Sequence, residues 1–268
     1  MQPTVPHQPA GADVFSALEK IKKLALSRPA ARGGLDRLRG GHIAVIAELG
    51  PAHPAASDLG NRYVNAGAAA IAVRADSSTA EPDSTARISA QVQAPMVSLE
   101  PAGTSYEIWR ARACGADMVV LPAATLSDSA LYSLLERAES IGMDAIVEVG
   151  SAADLVRALR ARARGVLLRS TADAVSVDAA SADVVSADVV SAGASVDELL
   201  LMVPDGVVKL AECGPGGRSG LISHARNGAD AVVVGASLLA GADSVSVVAD
   251  LVAIGAHPAL SARGRRAA

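Results

Sequence analysis

The residues best suited to chemistry begin in one run, residues 207–237. Its first part, Val207-Val208-Lys209-Leu210-Ala211-Glu212-Cys213-Gly214, is mostly apolar until it reaches a carboxylate and then a glycine-rich loop through Gly217. Its last part, Gly228-Ala229-Asp230-Ala231-Val232-Val233-Val234-Gly235-Ala236-Ser237, closes on bare backbone N–H groups and a hydroxyl, read as a helix start. Such a turn can cradle a phosphate, because unpaired N–H dipoles point at the anion. Glycine at a strand-to-helix turn also serves packing alone, so the neighbouring acid matters. Three more groups end apolar runs in the same way: Glu48, Glu148 and Arg169. An ionised carboxylate is costly to bury without a partner, and Arg169 is suited to pair Glu148 and Glu212. The plainer alternative is an internal salt-bridge network that fixes geometry and does no chemistry.

These groups need strands to hold them. Short runs of β-branched and small apolar residues occur at 43–49, 70–73, 96–99, 118–121, 145–149, 165–168, 207–213 and 231–235, which gives eight expected strands. Helical patterns fall between them, as at 105–113, 128–141 and 152–161, and an additional helix is expected at 13–26 with Phe15, Leu18, Ile21, Leu24 and Ala25 on one face. A recurring phrase precedes several strands: Gly67-Ala68-Ala69, Gly115-Ala116-Asp117, Gly142-Met143-Asp144 and Gly228-Ala229-Asp230. In each, the glycine reads as a left-handed helix stop. Strict strand–helix alternation with almost no hairpin signals predicts an α/β fold, a closed (β/α)8 TIM barrel with an extra N-terminal helix. Residues 1–12 read as a disordered lead-in and 13–268 as one barrel domain. The basic stretch 28–41 reads as a connector with a solvated face, an anion partner being the alternative. The pentapeptide Ser-Ala-Asp-Val-Val repeats in tandem within residues 170–197, which read as a long loop after the sixth strand, either folded over the barrel mouth or a duplication without a role.

Composition narrows the function classes. The 268 residues are 50% hydrophobic but only 2% aromatic, and the net charge is −4, so neither a basic footprint nor stacking platforms for nucleic acid exist. Two cysteines, Cys114 and Cys213, lack metal-ligand spacing and suit a reducing compartment. No run is long and apolar enough for a membrane span, so a cytoplasmic protein without membrane partners is expected. No metal and no cofactor is expected. The lysines are Lys20, Lys22, Lys23 and Lys209, and Lys209 lies three residues before Glu212, on the opposite strand face. A Schiff-base mechanism therefore has no agent at the mouth.

With these residues in view, the chain resembles the indole-3-glycerol phosphate synthase family of tryptophan biosynthesis. The match runs from about residue 14 to about residue 254, through Ile46-Ala47-Glu48-Leu49-Gly50, Pro95-Met96-Val97-Ser98-Leu99-Glu100, Arg112-Ala113-Cys114-Gly115-Ala116-Asp117, Gly142-Met143-Asp144-Ala145-Ile146-Val147-Glu148-Val149, Ala211-Glu212-Cys213-Gly214 and Gly228 to Gly235. The resemblance implies a small phosphorylated substrate, 1-(2-carboxyphenylamino)-1-deoxyribulose 5-phosphate, which is ring-closed, decarboxylated and dehydrated without a cofactor. It implies acid/base roles for Glu148 and Glu212, a substrate-site acid at Glu48, an arginine at Arg169 and a phosphate cradle at Gly214, Gly235 and Ser237. It also implies a departure: Gly50 and Leu99 stand where the family has lysines, one holding substrate and one acting as general acid. His53 is the candidate replacement acid, in a turn His53-Pro54-Ala55 that differs from the family's Ser-Pro-Ser. Leu167-Leu168 stand where the family has Asn-Asn, and the family's loop after the second strand has no counterpart in residues 77–84. The expectation is a barrel that keeps phosphate binding and has weak or no ring closure. The alternatives are an active synthase with its acid moved to His53 or to the 170–197 loop, and a different reaction on a related phosphorylated ligand. Association with other tryptophan-pathway proteins stays open.

Overall fold

A computed structural model of the chain describes residues 14–50, 55–74, 82–169, 194–241 and 243–260. Eight parallel strands pair in sequence order and close on themselves. They are β1 Ala44–Leu49, β2 Ala70–Val73, β3 Met96–Ser98, β4 Met118–Pro122, β5 Asp144–Val149, β6 Gly165–Leu168, β7 Val208–Cys213 and β8 Ala231–Val234. Closure is made by β8 against β1, with Ile46 opposite Val233. The expected (β/α)8 barrel is the observed one. Its helices are α1 Val14–Leu26, α2 Gly34–Leu38, α3 Ala56–Asn65, α4 Pro82–Gln91, α5 Ser105–Ala113, α6 Asp128–Ser140, α7 Ala152–Arg160, α8 Val196–Met202, α9 Arg218–Arg226 and α10 Ser244–Gly255.

Strand alternation divides the apolar residues between two environments. On β2, Ala70 and Ala72 fill the barrel interior while Ile71 and Val73 pack outward under the helices. Small interior residues such as Ala44, Ala70, Ala72 and Ala231 let the other strands contribute larger ones, Ile46, Met118, Ile146 and Leu210. Outside the ring, α1 buries Ile21, Leu24 and Ala25 against Trp109, Ala113 and Cys114 of the α5 region, which uses the apolar face read from the sequence.

The glycine-led phrase does what its spacing predicts. Gly67, Gly115, Gly142 and Gly228 have φ of 102°, 86°, 77° and 95°, the left-handed region that ends a helix and turns the chain into the next strand. The aspartates that follow have a second role. Asp117 Oδ2 accepts the Met96 N–H at 2.8 Å and Asp230 Oδ2 accepts the Lys209 N–H at 2.9 Å, so each acid ties its own strand to the preceding one at the N-terminal end of the barrel.

That end is also where the basic connector lies: Arg37 and Arg39 are exposed, as a solvated face requires, whereas half-buried Arg28 and Arg32 bind the barrel. Arg32 donates to Asp117 through its backbone N–H and its Nε, both at 2.9 Å, and through Nη1 to the Val92 carbonyl at 2.8 Å. Arg28 Nε donates to the Ala113 carbonyl at 2.8 Å, and Arg112 Nη2 to the Pro29 carbonyl. The arginines lace the connector to the barrel. This holds α2 under the strands, where Leu35 and Leu38 join the interior cluster and Leu35 N–H donates to Asp144 Oδ2 at 3.0 Å.

The lead-in 1–12 and the tandem repeat fall outside the described residues. The end of the stretch read as a long loop is helical instead: Ser195 caps α8 in a capping box with Glu198, a signal that Ser195-Val196-Asp197-Glu198 carries in its spacing. Asp197, in the first turn of α8, accepts from Ser223 Oγ at 2.5 Å and contacts His224 Nδ1 at 2.7 Å, which docks α9. Burial pushes this carboxyl up, but the hydrogen bonds from Ser223 and His224 and the histidine's charge outweigh it and hold the group below its ordinary value.

Two expectations follow from these contacts. Asp117 is only 2% exposed, so Asp117→Ala strands buried arginine charge and should lower the unfolding free energy by about 3–5 kcal/mol in urea titrations. A loss below about 1 kcal/mol would remove the clamp from the account of stability. The lowered Asp197 carboxyl contributes stability that is complete above the ordinary aspartate range and disappears as pH falls through its depressed value. Asp197→Asn should therefore lower the melting temperature at pH 7 and flatten its fall at acid pH; parallel melting curves across pH would contradict this.

Candidate active site

The C-terminal ends of the strands open on one mouth, and the two-residue period decides which side chains enter it. Ile46, Ala72, Val97, Val120, Ile146, Leu167, Leu210 and Val233 lie inside the barrel. Two residues further along each strand, the inward positions are Glu48, Arg74, Leu99, Pro122, Glu148, Arg169, Glu212 and Gly235. Three carboxylates and two guanidinium groups thus share one layer, and they form two groups.

The first group spans β5, β6 and β7. Arg169 Nη1 donates to Glu148 Oε2 at 3.3 Å and Nη2 to Glu212 Oε1 at 3.2 Å. Its Nε lies 2.7 Å from Glu212 Oε2, an ionic contact without hydrogen-bond alignment. The predicted pairing of Arg169 with both acids is present, with the cation held between two carboxylates on flanking strands. A fork on one acid and a single contact on the other fixes the guanidinium plane, an orientation lysine could not supply.

The second group spans β8, β1 and β2. Glu48 is 8% exposed and both its oxygens are engaged: Oε1 with Arg74 Nε at 3.2 Å, Oε2 with the Ala236 N–H at 3.1 Å. Gly235 lies beside this carboxylate, since a Cβ built there would stand 3.5 Å from Glu48 Oε2 and 3.9 Å from Ser237 Oγ. Glu48, Gly235 and Ser237 therefore converge, and register places Gly214 level with Gly235 through the Cys213–Val234 pair. The expected helix start at Gly235-Ala236-Ser237 is not there. Leu238 and Leu239 donate to the carbonyls of Gly235 and Ala236 at 3.1 Å each, which makes consecutive tight turns, and α10 begins only at Ser244. One of the turn's N–H groups is already occupied by the Glu48 carboxylate.

After β7 the loop is fixed from within. Gly217 N–H donates to the Gly214 carbonyl at 3.0 Å, and Cys213 Sγ donates to the Gly217 carbonyl at 3.0 Å. Burial pushes the Cys213 thiol up, which suits a loop tether and not a nucleophile. His53 falls outside the described residues. Among the described residues no set of three His, Cys, Asp or Glu side chains is grouped to hold a metal ion, and no helix is long and apolar enough to cross a membrane.

Arg74 is the mouth residue that the inspection of strand ends missed. The available signal was parity: Ala70 and Ala72 point inward, so the next inward position on β2 is Arg74.

Fold and mouth together define a (β/α)8 barrel with acids and guanidinium groups gathered where enzymes of this architecture place their active sites. The family model for indole-3-glycerol phosphate synthase matches residues 16–251. A protein of that name from Streptomyces griseus is 38% identical over 260 residues, covering 91% of this chain and 90% of the relative. One from Beutenbergia cavernae is 36% identical over 270 residues, covering 94% and 93%. The chain belongs to the indole-3-glycerol phosphate synthase family. Among solved structures, thiamine phosphate pyrophosphorylase from Pyrococcus furiosus superposes with a TM-score of 0.56 at 15% identity, covering 81% of this chain and 96% of that one, a likeness of fold alone.

Removing the shared cation tests the first group. Arg169→Ala leaves Glu148 and Glu212 as like charges on strands separated only by β6, so the urea midpoint should drop at pH 7.5. The deficit should shrink at high salt, which screens the repulsion between the two acids. A deficit of equal size at low and high salt would mean that lost packing, not charge, is responsible.

Proposed function

We propose that the mouth binds a phosphorylated anthranilate–ribulose type ligand, 1-(2-carboxyphenylamino)-1-deoxyribulose 5-phosphate or a near analogue, and that ring-closing decarboxylation there is weak. Relatives named indole-3-glycerol phosphate synthase, alignable over nearly the whole chain, support the ligand class. The observation that carries the reading is the composition of the inward layer: three carboxylates, two guanidinium groups and no ammonium among the described residues. In this reading Gly235, Ser237 and Gly214 take the phosphate, which competes with Glu48 for the Ala236 N–H. Glu148 and Glu212 stand as proton acceptors around the ring-forming carbon, with Arg169 holding their orientation.

Ring closure also needs a proton delivered to the carbonyl oxygen as the carbon–carbon bond forms, and again to the departing hydroxyl on dehydration. A guanidinium group stays protonated at any working pH and donates hydrogen bonds without giving up its proton. Leu99 and Gly50 offer no proton at all. A positioned general acid contributes roughly 10² to 10⁴ in rate, so its loss leaves a site that binds well and turns over slowly.

The second reading is an active carboxy-lyase of tryptophan biosynthesis with a relocated acid. The relatives' names favour it. Incubating the protein with the family substrate and following indole fluorescence separates the two. The first reading expects kcat/KM at least about a hundredfold below that of lysine-bearing relatives assayed alongside. Turnover within a factor of ten would establish the second. Gly50 is exposed, and a Cβ there meets nothing within 4 Å, so Gly50→Lys restores an ammonium at the position the resemblance assigns to substrate holding and should lower KM by about tenfold while kcat stays low. An unchanged KM would count against a lost substrate contact as part of the defect.

A further inference from the structure

The geometry points to Arg74 as an anion anchor of the mouth, which selects a ligand bearing a carboxylate in addition to its phosphate ester and holds that carboxylate without donating a proton. This rests on the ligand class proposed above and adds a residue and a specificity to it.

The placement follows from register. Val73 is paired with Leu49 on one side and Ser98 on the other, and Leu99 N–H donates to the Val73 carbonyl at 2.9 Å. One residue further along, Arg74 is level with Gly50 and Leu99, and all three positions have inward parity. Gly50 has no side chain and Leu99 lies in the interior cluster, so among the described residues the guanidinium is the cation along this third of the rim. The resemblance sets the family's lysines at the positions on either side of it. One fork thus stands between two vacated point charges.

Its state of engagement differs from that of Arg169. Both terminal nitrogens of Arg169 are spent on protein carboxylates. Arg74 is held to Glu48 through Nε, close to its stem, and its side chain is 38% exposed. Glu48 is nearly buried, so Arg74 is oriented from behind by an acid whose packing leaves it little freedom even when a phosphate takes the Ala236 N–H. The terminal edge of a guanidinium held in this way matches the two oxygens of a carboxylate.

The anchor also sets a length. From the β8 turn to Arg74 on β2 is two strand spacings, roughly 10 Å. A compact monoanion cannot reach both. An elongated sugar phosphate carrying an aryl carboxylate can, and the anchor's geometry favours that shape over a short phosphate ester.

The test uses two probes that cannot ring-close: the C2-reduced alcohol of 1-(2-carboxyphenylamino)-1-deoxyribulose 5-phosphate, and the same alcohol lacking the ring carboxylate. Calorimetric titration of the full chain should show the carboxylated probe bound about 10- to 100-fold more tightly, the range of a charge-assisted hydrogen-bond pair. Arg74→Gln should reduce that preference to about threefold or less while leaving affinity for the carboxylate-free probe unchanged, and Arg74→Lys should recover part of it. If Arg74→Gln weakens both probes equally, or the preference survives it, the assignment is wrong. If the wild-type protein binds both probes equally well, the Arg74 assignment fails alone. If it binds neither, the proposed ligand class fails and takes the anchor with it.

Discussion

Closure of the sheet between β8 and β1 is the constraint on which the site depends. An open sheet would leave Glu48 at an edge, far from the turn after β8. Pairing Ala47 with Val234 brings Glu48 level with Gly235, within reach of the Ala236 N–H. The two-residue period then does the rest, since a slip of one residue in any strand would send its terminal charge outward among the helices. Charge in the mouth is thus an outcome of backbone pairing, with no need for loops to position it.

The two ionic groups balance differing demands. Across β5 to β7 two acids share one guanidinium, a dense arrangement in which a single cation offsets both carboxylates. Across β8 to β2 one acid bridges a guanidinium and a backbone amide. Glu48 thereby behaves as an internal anion in the turn where a phosphate would be placed. An arriving dianion has more charge and more acceptor atoms than the carboxylate it would displace, and the released Glu48 still has Arg74 beside it. The mouth is in this sense already filled with its own counter-charges.

How much of this was readable from residues alone varied with the kind of signal. All eight strands and the barrel were legible, because short apolar runs alternate with helical patterns, and left-handed glycines stand before most of the runs. The pairing of Arg169 with Glu148 and Glu212 was legible for the same reason, each ending an apolar run. Arg74 carries the same local signal as Arg169, an arginine directly after a four-residue run, but its pairing with Glu48 depends on the β1–β2 register, which no local pattern reports. The packing role of the arginine-rich connector depended on carbonyls contributed by distant segments, which no local pattern reports. The helix expected at Ser237 failed on local backbone geometry: successive tight turns satisfy the same carbonyls, and the chain delays its helix to Ser244.

The aspartates of the glycine-led phrase, together with α2 beneath the strands, put most of the fold's polar fastening at the opposite pole from the mouth. Residues at the mouth can then be exchanged without disturbing what keeps the ring closed. A lineage could discard an ammonium, gain a guanidinium or lengthen a rim loop while inheriting the same vessel. That division of labour gives the scaffold its evolvability: new preferences for guests are tried at the lid while the keel stays untouched.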